Sequence, residues 1–114
     1  MVNFRTAMGL SKILDDPHPV AELSPERIAS VRAHLQDVLT SDAFMGGLRA
    51  QDFLRLVVEH SLAGQFDCLR ERMLGAEMFG RPIDYDTGND AVVRVKASEV
   101  RKRLTQYYLS LTTP

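Results

Sequence analysis

Residues 90–109 read DAVVRVKASEVRKRLTQYYL, and the spacing of their apolar positions decides the fold class. Val93, Ala97, Val100, Leu104 and then Tyr107 or Tyr108 recur every three or four residues. That period lines them along one side of a helix and predicts α-structure from about 90 to 109, with Asp90 or Asn89 as its cap. The brief two-residue alternation of 91–95 is absorbed by this longer stripe. Working back toward the N-terminus, the polar loop 80–88 is rich in turn formers. Before it, residues 66–79 read as one helix burying Leu69, Met73, Leu74 and Met78. Gly75 inside that helix costs about 1 kcal/mol relative to alanine, so close packing or a bend is expected there.

The same period continues upstream. Residues 48–62 carry Phe53, Leu54, Val57, Val58 and Leu62 on one side, and Gly64 is placed to end the helix. Residues 41–47 form a break in which Phe44 can plug the core. Ser24-Pro25-Glu26 is a helix start of cap, first-turn proline and dipole-favoured acid, followed by Ile28, Val31, Leu35, Val38 and Leu39 to about Thr40. The expected fold is all-α: a small helical bundle of about four helices, with Ile28, Leu35, Phe53, Val57, Leu69, Val100 and Leu104 in one core. Pro17 and Pro19 interrupt the apolar run of Phe4, Ala7, Met8 and Leu14, so residues 1–23 read as an N-terminal arm and 24–114 as the domain.

Composition bounds the function. At 114 residues, 45% hydrophobic and 25% charged, the chain fits one soluble globular domain. It has no apolar run long enough to span a membrane, and its N-terminus lacks the apolar core of a secretory signal. Cys68 is the single cysteine and has no disulfide partner within the chain. A cytoplasmic location is expected, without membrane contact.

Readings as an enzyme fail in turn. His18, His34 and His60 are scattered, Cys68 has only Arg70 and Arg72 as nearby activators, and no phosphate-binding glycine loop occurs. The run Asp84 to Asp90 resembles a calcium loop, but position twelve is Val95 where a bidentate glutamate is required. Turn and cap chemistry accounts for these aspartates better. No catalytic residue, metal site or cofactor is expected.

The formal net charge is −1, so a polyanion partner would need positive charge concentrated locally. Residues 94–103 supply it: Arg94, Lys96, Arg101, Lys102 and Arg103 against Glu99 alone. With the apolar stripe turned inward, Arg94, Ser98, Arg101 and Thr105 form a second stripe beside it, flanked by Lys96, Lys102 and Arg103. Arginine grips guanine or phosphate, and serine or threonine donates to phosphate oxygens. These seven residues are the candidate DNA-binding site.

Several blocks in this chain resemble an N-terminal domain of bacterial regulatory proteins. They are Phe53 to Gly64, Leu74 to Pro82, Asp84-Tyr85-Asp86, Asp90, Val93-Arg94-Val95, Ala97, Arg101 to Leu104 and Tyr107-Tyr108. That family is similar in turn to the OmpR-type winged-helix output domain. The resemblance implies a helix-turn-helix core in which Val100 to Leu104 belongs to the recognition helix, and Arg94, Lys96, Ser98 and Arg101 face the major groove. Relatives continue past the tyrosine pair into a β-hairpin wing, whereas this sequence reaches Pro114 first: either the core is a wingless variant or the sequence is a fragment of a longer protein. Relatives also carry a glutamate and two arginines where Lys96, Ser98 and Glu99 stand, which implies a different base preference. The expected function is a DNA-binding transcriptional regulator acting on double-stranded DNA. The alternative is a helical protein-interaction module or anti-regulator that keeps the core without binding DNA, with a regulatory protein as partner. A homodimer is expected, through the arm or through the face near Val31 and Leu35.

Overall fold

The computed structural model describes residues 23–112. Within them the chain forms α1 (Pro25–Leu39), α2 (Leu48–Leu62), α3 (Glu71–Phe79) and α4 (Val92–Ser110), with 3-10 turns at Asp42–Phe44 and Phe66–Leu69. No strand occurs among the described residues. The all-helical bundle is as read from the apolar period; the arm expected over most of residues 1–23 lies outside the described residues.

Each start and stop has a local cause. Ser24 Oγ accepts the Arg27 N–H at 3.2 Å, with Pro25 in the first turn and Glu26 near the positive end of α1. A cap of this kind contributes about 1 kcal/mol. The break after α1 is filled as expected. Phe44 is wholly buried, and Gln51 Nε2 donates to its carbonyl at 2.8 Å, tying the 3-10 turn to α2. Gly80, left-handed at φ 66°, closes α3, and the Arg81 N–H reaches back to the Gly75 carbonyl at 3.1 Å.

α2 is the axis of the core. Ala50, Phe53, Leu54, Val57, Val58 and Leu62 bury against Leu35, Val38 and Leu39 of α1, Leu74 of α3 and Val93 and Val100 of α4. Ser61 is fully buried too, and its hydroxyl donates to the Val57 carbonyl at 2.8 Å, which removes the penalty of an unpaired polar group.

Four expectations need correction. The helix read over 66–79 is two elements, because Arg70 is extended (φ −65°, ψ 145°) and interrupts the backbone ladder. Met73 is exposed rather than buried, since the break rotates α3 relative to the turn before it. Ile28, Leu69 and Leu104 are only partly buried and pack against the core from its edge. Leu35 is buried against α2, so the face near Val31 and Leu35 is not free to form a dimer through Leu35. Gly75 behaves as anticipated: a Cβ there would overlap the Tyr85 ring, at 2.6 Å from Cε1. No described helix is long and apolar enough to cross a membrane.

Candidate functional site

α4 carries all seven candidate residues, and its packing sorts them into three groups. Val93, Val100 and Tyr108 face the core, so positions about half a turn away face solvent. Ser98, Arg101, Lys102 and Thr105 are exposed. Neither Arg101 nor Lys102 enters an ion pair or side-chain hydrogen bond among the described residues. These two are the uncommitted cations of the helix. Thr105 Oγ1 donates to the Arg101 carbonyl at 3.0 Å, so its hydroxyl is left as an acceptor.

Lys96 and Arg103 form the second group, on the opposite flank. Glu99 holds both: Lys96 Nζ at 2.8 Å from Oε1, and Arg103 Nε donating to Oε2 at 3.0 Å. Those two cations, Lys96 first, keep the Glu99 carboxyl below its ordinary range. Arg103 is further committed, because Nη1 donates to the Ala43 carbonyl at 3.0 Å. Its guanidinium also occupies the space beside Gly47, where a Cβ would sit 2.6 Å from Cζ. Arg103 is thus a clamp between α4 and the 3-10 turn at Asp42–Phe44.

Arg94 is the third case. Its Nε donates to Glu71 at 3.1 Å and its Nη2 to the Thr87 carbonyl at 2.6 Å. It belongs to a set of arginines that pin the α3–α4 connection. Arg72 Nη1 donates to the Ile83 and Tyr85 carbonyls at 2.8 and 2.7 Å, and Arg81 pairs with Asp90 at 2.6 Å. That pairing lowers the Asp90 carboxyl, whose Oδ1 also accepts the Val92 N–H at the start of α4. Asp86 makes the turn, accepting from Gly88 N–H at 3.0 Å and Asn89 Nδ2 at 2.6 Å. Asp86 and Asp90 do turn and cap work, as their sequence suggests. The loop's connection to α4 is therefore held by Arg72, Arg81, Asp86, Asp90 and Arg94, which fixes how α4 is presented.

One residue of the outward face escaped the sequence reading. Val95 is 65% exposed, beside Ser98 and Lys102 on the side away from Val93. Its offset of two residues from Val93 is the signal that could have found it. On the other side, Arg94, Ala97, Arg101 and Leu104 border an apolar groove of about 260 Å³ between α2, α3 and α4. Phe53, Leu69, Leu74 and Val93 contribute to its floor and walls, and Glu71 to its rim. The groove has no counterpart in the sequence reading, because its walls come from four separate segments.

Comparison with known proteins finds no matching family model, no matching curated protein and no matching solved structure. The functional reading therefore rests on the residues of α4 and their surroundings.

Proposed function

We propose that this protein is a DNA-binding regulator of transcription that docks the outward face of α4 on duplex DNA, within a helix-turn-helix-like arrangement of α3 and α4. The observation behind this reading is the pair Arg101 and Lys102, exposed and without counter-charges among the described residues, between the hydroxyl residues Ser98 and Thr105 and next to Val95. A helix entering the major groove needs cations for phosphate and guanine, small hydroxyls for close approach, and an apolar group for the thymine methyl. In this arrangement Arg101 takes the base edge or nearest phosphate, Lys102 supplies general attraction, and Val95 makes the apolar contact. Arg94 and Arg103 are assigned to holding the fold, and Lys96 is masked by Glu99.

Fluorescence anisotropy on duplexes selected from a random pool tests this. Arg101→Ala should cost about 1–3 kcal/mol on the selected site and relax preference at one base position, while Lys102→Ala should weaken all sequences alike. Binding weaker than about 10⁻⁴ M at low salt would remove the DNA reading. A second reading, a helical protein-interaction module, is favoured by the apolar groove beside the same helix.

A further inference from the structure

Well-packed interiors hold few voids larger than one water, yet the groove between α2, α3 and α4 has room for on the order of eight or nine. At about 260 Å³ it falls just below the pockets that take drug-sized ligands, so it suits a compact molecule of on the order of ten non-hydrogen atoms. Leu69, Leu74, Ala97 and Leu104 wall it over Phe53, and Leu69, Ala97 and Leu104 are only partly buried. Taking that surface out of water favours an apolar occupant. Three charged side chains border the groove: Glu71, Arg94 and Arg101. Glu71 and Arg94 balance each other at 3.1 Å, and Arg94 is spent further on the Thr87 carbonyl. Arg101 has no counter-charge among the described residues. The groove is thus an apolar site with one unbalanced positive charge on its rim.

We infer that this groove binds a small amphiphilic monocarboxylate, whose chain lies against Phe53, Leu69 and Leu74 and whose carboxylate takes the Arg101 guanidinium. A guanidinium fork matches a carboxylate bidentately, and one negative charge balances one positive. A phosphate monoester brings nearly two negative charges. An amine would meet Arg101 with like charge, and an alcohol would leave it unbalanced. Of the α4 residues proposed to meet DNA, Arg101 alone borders the groove; Val95, Ser98, Lys102 and Thr105 do not. A bound carboxylate and a DNA phosphate therefore compete for one guanidinium. That consequence rests on the DNA reading, whereas the ligand site does not.

Isothermal titration calorimetry of the whole chain with octanoate, octanol and octylamine decides the site without DNA. Octanoate should saturate one site per chain about five-fold tighter than octanol, the scale of a good exposed ion pair, and octylamine should bind no tighter than octanol. Arg101→Gln should erase the preference for octanoate, while Arg27→Gln, at an exposed position of α1 outside the groove, should preserve it. Ala97→Leu, which fills the groove, should weaken octanoate and octanol alike while the helical circular dichroism persists. No saturable octanoate binding up to about 1 mM overturns the site and leaves the groove to the partner helix of the second reading. Equal affinity for octanol, or a preference that survives Arg101→Gln, overturns it as well. In fluorescence anisotropy, octanoate at about ten times its Kd should weaken wild-type binding to a selected duplex roughly five- to ten-fold, against sodium chloride of the same ionic strength. Undiminished affinity overturns the competition for Arg101. Failure to bind DNA before octanoate is added removes the function proposed above and leaves the calorimetric result standing.

Discussion

His60 sits where α2 ends, with Nδ1 2.7 Å from Gln65 Oε1 and Nε2 2.9 Å from Glu77 Oε1. The Gln65 hydrogen bond, then Glu77, raise its pKa above the ordinary 6.5. A raised value in the folded state means stability that is fully present below 6.5 and is lost as pH climbs through the folded value. His34 has the opposite sign: burial beside Tyr107 and Tyr108 lowers its pKa, so its contribution holds above 6.5 and fades as pH falls through the lowered value. Melting temperatures of wild type, His60→Gln and His34→Gln, taken from about pH 5 to 8, separate the two. The gap between wild type and His60→Gln should be widest at the acid end and shrink toward pH 8; a gap that widens with pH contradicts the assigned pairing. Neither effect was legible in the chain: Glu77 lies 17 residues from His60 and Tyr108 lies 74 from His34, and Gln65, five residues past His60, meets it only because the chain turns where α2 ends. Scattered histidines are all that a sequence shows.

α3 illustrates how far an element can be read in advance and where the reading stops. Its existence, its last residue Phe79 and the tight spot at Gly75 follow from local rules, since a buried glycine in a helix implies a neighbour too close for a methyl group. That the neighbour is Tyr85, from the following loop, is tertiary information. So is the break at Arg70, because apolar spacing continues straight across it and only the extended backbone interrupts the ladder. α4 divides the same way: its bounds and buried stripe were legible, whereas the commitment of Arg94 to Thr87 and of Arg103 to Ala43 was not. Gly75→Ala tests the packing of α3. Helix propensity alone would favour alanine by about 1 kcal/mol. Overlap with the Tyr85 ring should reverse that sign, for a net loss of about 1–3 kcal/mol in urea unfolding. In a Tyr85→Ala background the same change should become neutral or stabilising. If Gly75→Ala stabilises the unaltered protein, Tyr85 does not pack on α3 as described.

For the whole molecule, the distribution of charge decides what a DNA partner would feel. The chain is near neutral overall, and most cations of residues 23–112 meet a carboxylate or a backbone carbonyl, leaving Arg101 and Lys102 on the proposed face. Each phosphate neutralised contributes about 0.9 to the slope of log affinity against log salt. One protomer should therefore show a slope near −2, and a two-fold dimer near −4. Glu99 sets the limit, since it masks Lys96 and Arg103 together. Glu99→Gln removes the carboxylate while keeping the shape. It should release Lys96 but not Arg103, which stays tied to the Ala43 carbonyl and lodged beside Gly47. The slope should steepen by about one unit per protomer, with tighter binding to all sequences at low salt and little change in base preference. A steepening of about two units would mean that Arg103 is not held as a clamp. An unchanged slope would confine the binding face to Arg101 and Lys102, and a wild-type affinity insensitive to salt would shift the function to the apolar groove beside them.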